Sequence, residues 1–104
     1  MSDLNKGEIG QPLRINFGED ISSATEALIL SQPEIGATKE FTATIPATPV
    51  TVNGVTFNAN EYVEYTTVSE EDQDYVGRWR YKAKLTFSST DVRQSNYFKY
   101  RVLN

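Results

Sequence analysis

The strongest periodic signal in the chain lies at residues 78–87. Trp79, Tyr81, Ala83, Leu85 and Phe87 fall on one side; Arg78, Arg80, Lys82, Lys84 and Thr86 fall on the other. A strict period of two sends alternate side chains to opposite faces of a strand and makes no helical stripe. Weaker versions of the pattern recur upstream. Leu13, Ile15 and Phe17 alternate between turn-forming Gly10-Gln11-Pro12 and Gly18-Glu19-Asp20. Ala24 to Ser31 holds the run Ala27-Leu28-Ile29-Leu30. It predicts a short buried strand, because Thr25 and Ile29 suit a sheet and Gln32-Pro33 and Ile35-Gly36 stop the run early. Lys39 to Ile45 alternates Phe41, Ala43 and Ile45 with Thr42 and Thr44, until Pro46 and Pro49 interrupt.

Val50-Thr51-Val52 and Val55-Thr56-Phe57 flank Asn53-Gly54. Asn-Gly accepts the positive φ angles of a two-residue turn, so this stretch predicts a hairpin. Glu61 to Val68 reads as a strand with Tyr62, Glu64 and Thr66 on one face and Val63, Tyr65 and Thr67 on the other. Ser69 to Asp74 reads as an acidic loop, Ser88 to Gln94 as a turn, and Tyr97 to Leu103 as the last strand. Seven or eight short strands at ~8–12-residue spacing predict an all-β fold, an antiparallel β-sandwich or small barrel. Residues 1–12 are expected to form a polar N-terminal arm, and 13–104 a single sandwich domain.

Composition narrows the chemistry. The 104 residues include no cysteine and no histidine. That removes the imidazole base, the thiolate nucleophile and the Cys/His ligand sets of structural zinc. Carboxylate pairs do occur, at Glu61/Glu64 and along Glu70-Glu71-Asp72-Gln73-Asp74. A glycosidase needs one acid in an apolar pocket and a partner ~5–9 Å away. These acids belong instead to a polar loop and an alternating strand face. Calcium wants six to eight oxygens from a wrapped loop; Ser69 to Asp74 lacks the alternating Asp/Asn spacing and the central glycine. The expectation is a non-enzymatic protein with no cofactor, no metal and no small-molecule substrate. Trp79 shares its face with apolar residues only, so it is expected in the core, not on a sugar-binding platform. The opening Met1 to Gly7 is polar, and no stretch approaches the ~20 apolar residues of a membrane span. Folding in a cytoplasm, away from membranes, is the expectation.

Net charge is −4, from 10 bases and 14 acids. That number conceals a split: residues 1–74 carry 3 bases and 13 acids, and residues 75–104 carry 7 bases and 1 acid. Arg78, Arg80, Lys82 and Lys84 form a row of cations ~6.6 Å apart. Two readings remain open. The row pairs beside an acidic strand such as Glu61 to Glu64, giving cross-strand ion pairs; or it meets opposite charge on a neighbouring subunit. These six residues are the candidate interface. The acidic remainder would repel phosphate, so nucleic acid is not an expected partner.

The order of signals resembles a known family. Gly7 to Ile15 leads to Glu19-Asp20-Ile21-Ser22-Ser23-Ala24, a short apolar strand and Gln32-Pro33-Glu34. Gly77-Arg78-Trp79-Arg80-Tyr81-Lys82-Ala83-Lys84-Leu85 then leads through a turn to Ser95-Asn96-Tyr97-Phe98-Lys99-Tyr100-Arg101-Val102. The chain resembles the immunoglobulin-like domains of tailed-phage structural proteins, most closely the N-terminal domain of the baseplate upper protein family. The resemblance implies an immunoglobulin-like sandwich without catalytic activity. It implies a virion component assembled in the bacterial cytoplasm, docking in many copies on other structural proteins of a tail, baseplate or neck. A capsid decoration protein and a carbohydrate-binding module of a receptor-binding apparatus are the alternatives.

Overall fold

A computed structural model of the chain describes residues 4–5, 7, 9–68, 72 and 76–103. Ten strand segments occur among them: β1 (Leu4–Asn5), β2 (Pro12–Asn16), β3 (Glu26–Pro33), β4 (Lys39–Thr42), β5 (Val50–Val52), β6 (Val55–Phe57), β7 (Tyr62–Thr66), β8 (Gly77–Ser88), β9 (Asp91–Gln94) and β10 (Phe98–Leu103). Seven or eight were expected. The excess includes the two-residue β1, inside the stretch read as an arm, and β9, where a turn was expected. Ser89-Thr90 suffices for the reversal, so Asp91 to Gln94 returns antiparallel to β8, with a register shift between Thr86 and Ser88.

The larger sheet runs β1-β10-β8-β3-β4, with β9 also on β8. All its pairings are antiparallel except β1, which lies parallel to β10 through Leu4↔Val102. A smaller sheet pairs β2 with β7 antiparallel. This division, with β8 between β3 and β10 in one layer and β2 against β7 in the other, is the immunoglobulin-like sandwich. The segment expected as a single strand from Lys39 to Ile45 switches layers. Phe41 pairs with Ile29 in the larger sheet, whereas Thr44 bridges to Glu64 of the smaller one.

The core lies between the layers. Leu13, Ile15 and Val63 of the small sheet meet Ile29, Trp79, Tyr81, Ala83, Leu85, Tyr100 and Val102 of the large one. The β2 and β8 members have the parity that the alternation predicts, and burial of large apolar side chains supplies ~1.5–3 kcal/mol each. Ser31 is the polar exception. Its hydroxyl hydrogen-bonds the Tyr100 hydroxyl at 2.8 Å, which satisfies both groups in a buried setting. Tyr62 departs from its parity. It shares the outward side with Glu64 but is buried, because the β5–β6 hairpin folds over it: the Phe57 ring lies 5.5 Å away and Thr48 accepts the Tyr62 hydroxyl proton at 3.0 Å.

That hairpin turns at Asn53 and Gly54, with φ of 49° and 80°. A Cβ on Gly54 meets no atom within 4 Å, so substitution there costs only backbone strain. Gly54→Ala is expected to lower stability by ~1–2 kcal/mol, measured by urea denaturation, with the rest of the sandwich intact.

Candidate functional site

Alternation on β8 places Arg78, Arg80, Lys82 and Lys84 on the outward face of the larger sheet. Register then decides what surrounds them. On one side β10 sets Arg101 opposite Arg78 and Lys99 opposite Arg80. On the other, β3 sets Gln32, Leu30 and Leu28 opposite Arg80, Lys82 and Lys84. Beyond them β4 contributes Glu40 and Thr42 opposite Leu30 and Leu28. Six of the ten cations of the chain therefore share one sheet face.

Pairing of the cationic row with Glu61 and Glu64 does not occur. β7 lies in the other layer, where Glu64 accepts the Arg14 Nε–H at 2.7 Å across the β2–β7 pair. Glu61 precedes β7 and its backbone closes a turn with Asn58. The physical reason is that β8 has both neighbours taken by β3 and β10, which bring leucines, a glutamine and further cations. Among the described residues no carboxylate lies within ion-pair distance of Arg78, Arg80, Lys82 or Lys84.

Local contacts hold two of these cations in place. Arg80 donates its Nε–H to the Gln32 side-chain oxygen at 2.9 Å, and its guanidinium lies 4.0 Å from the Tyr97 ring centre. Lys82 Nζ lies 4.8 Å from the same ring centre. Such cation–π contacts are worth ~0.5–1 kcal/mol at exposed sites. Toward the β8 start the face deepens into an open cleft of about 680 Å³, flanked by Gln32, Glu34, Arg78, Arg80, Lys99 and Arg101. Lys99 and Arg101 were not singled out from the sequence, although they alternate with Tyr100 and Val102 as the β8 cations alternate with its apolar residues. The same holds for Leu28 and Leu30, whose outward and inward halves look alike in an unbroken apolar run.

Toward the far end of β8 the described residues include a group of carboxylates. Backbone bonds from Phe17 to Glu61 (2.8 Å), Ile21 to Asn60 (2.9 Å) and Thr25 to Thr86 (2.7 Å) gather the β2–β3, β6–β7 and β8–β9 connections there. Those connections, with the first residues of β3 and β9, bring Glu19, Asp20, Glu26, Glu61 and Asp91 toward one end. Arg93 is the cation among them. It contacts Asp91 and Glu19 at 3.3 Å each, and the Asp91 bond and charge raise its pKa. Asp20 accepts the Ser22 hydroxyl and amide at 2.6 and 2.9 Å, which holds its carboxyl below the usual range.

A second cleft, about 630 Å³, opens beside β2 and the β5–β6 hairpin, where Val55, Phe57 and Phe98 line it together with Arg14 and Asn16. Trp79 takes no part in either surface as an exposed ring: it is 2% accessible. Of the acidic loop Ser69 to Asp74, only Asp72 lies within the described residues; it accepts the Tyr65 hydroxyl at 2.6 Å and the Val68 amide at 3.0 Å. Among the described residues no three acidic side chains gather closely enough to hold a metal ion. No family model matches the chain, and no curated protein or solved structure does either.

Proposed function

We propose that this chain is a non-enzymatic structural component of a bacteriophage virion, an assembly or adaptor subunit of the tail, baseplate or neck acting through protein–protein contacts. The observation that carries the reading is the outward face of the larger sheet. Arg78, Arg80, Lys82 and Lys84 stand there without a carboxylate partner among the described residues, beside the outward leucines Leu28 and Leu30. Exposed charge of this kind adds little to folding. Two half-buried leucines among cations leave some apolar area on the face, and cations of one sign select an acidic partner and speed encounter. The family resemblance supplies the virion context and the many copies. A capsid decoration subunit would use the same surface, and the position of the chain in purified particles separates the two.

The test is a charge reversal. Arg78→Glu with Lys82→Glu is expected to reduce the amount of this chain in purified particles. Its melting temperature should move by no more than about 4 °C, because both positions are on the surface. Normal incorporation of the double variant, or absence of the unaltered chain from particles, overturns the reading.

A further inference from the structure

Resting on the reading of the cationic sheet face as an assembly surface, we infer that its occupant is the acidic end of a second copy of this chain, so that copies associate head to tail. The argument is charge complementarity set by the fold. The cleft at one end gathers Arg78, Arg80, Lys99 and Arg101, with Glu34 at its rim. The other end gathers Glu19, Asp20, Glu26, Glu61 and Asp91 around Arg93. Two copies meeting by the same face would set cations against cations, which costs affinity steeply. A heterologous contact sets cations against carboxylates instead, and repetition of one such contact closes a ring or extends a filament. Leu28 and Leu30 give the face apolar area to bury, as a protein partner requires. A polynucleotide would gain nothing from those leucines and would be repelled by the net −10 of residues 1–74.

Sedimentation velocity of the purified full chain tests this. Concentration-dependent oligomers are expected at ~0.02 M salt and their dissociation at ~0.3 M, where screening is strong. Arg80→Glu with Lys99→Glu reverses the basic end; Glu26→Lys with Glu61→Lys reverses the acidic end. Each double variant alone is expected to associate roughly 100-fold more weakly. An equal mixture of the two is expected to recover association, since each then offers the other a complementary pair of ends. Circular dichroism establishes that both fold, and the milder Arg80→Gln with Lys99→Gln serves if the reversal does not. A chain that stays monomeric at low salt, variants that associate as before, or a mixture that fails to recover overturns head-to-tail docking. If the chain is monomeric while Arg78→Glu with Lys82→Glu still blocks incorporation, the assembly surface stands and its partner is a different protein. If incorporation is also unaffected, both fall.

Discussion

Trp79→Ala is expected to cost ~3–5 kcal/mol, the range for truncating a large aromatic in a packed core. Trp79 sits on β8, the strand with the most neighbours, and is 2% exposed. Its ring lies 6.0 Å from the Tyr100 ring across the β8–β10 pair, and Pro33 flanks it from β3. Removing the indole leaves a void bounded by two sheets that are each held by their own ladders, so little collapse can refill it. Stabilities of small domains run ~5–15 kcal/mol, which makes this loss a large share of the whole. The melting temperature is expected to fall by more than about 12 °C. Emission of the native protein should be blue-shifted, as it carries a single tryptophan. A solvent-like emission maximum, or a loss under about 1 kcal/mol, would remove Trp79 from the core.

Much of the fold is legible in the chain because alternation is a local property. Gly77 to Ser88 can bury Trp79, Tyr81, Ala83 and Leu85 only as a strand, and Asn53-Gly54 can accept its φ angles only in a tight turn. Which strands become neighbours is a different matter. The β2–β7 pair joins residues about fifty positions apart, and its Arg14–Glu64 contact depends on register that no local pattern encodes. The same limit hid the layer switch between Phe41 and Thr44, since both positions alternate correctly whichever sheet they join. Tyr62 shows a third kind of miss. Its burial comes from the Phe57 hairpin lying over it, a packing event between elements rather than a property of β7.

The candidate surface divides along the same line. The four β8 cations were visible as a row, and their outward direction followed from the apolar residues between them. Their company was not. Lys99 and Arg101 join the row because β10 happens to be the neighbour of β8, and Glu61 and Glu64 leave it because β7 is in the other layer. Among the described residues, six cations share one sheet face while Glu19 and Asp91 meet Arg93 near the far end of β8. Sequence distance converts into spatial polarity here because β8 and β10, which hold six of the cations, are adjacent strands.

Alkaline pH is expected to destabilise the protein between pH 10 and about 12, through Tyr81. The residue is 2% exposed, and its hydroxyl donates a long 3.3 Å hydrogen bond to the Arg14 carbonyl. The rings of Phe98 and Tyr100 pack against it at 5.7 and 5.6 Å. Burial, with a smaller contribution from Tyr100, pushes its pKa up from 10.0 to about 12. The folded state therefore holds the proton more tightly than the unfolded chain does. Its contribution is complete below pH 10 and is lost as pH rises through about 12, because the unfolded chain ionises first. A shift of about two units corresponds to ~2.7 kcal/mol at most. Tyr65 adds to the loss in the same direction: burial and its bond to Asp72 also raise it to about 12. Urea denaturation at successive pH values measures the slope. Tyr81→Phe keeps the ring and removes the ionisation, so it is expected to cost under ~1 kcal/mol at neutral pH and to flatten the decline above pH 10. An undiminished slope in that variant would show that Tyr81 is not the group whose ionisation opens the sandwich.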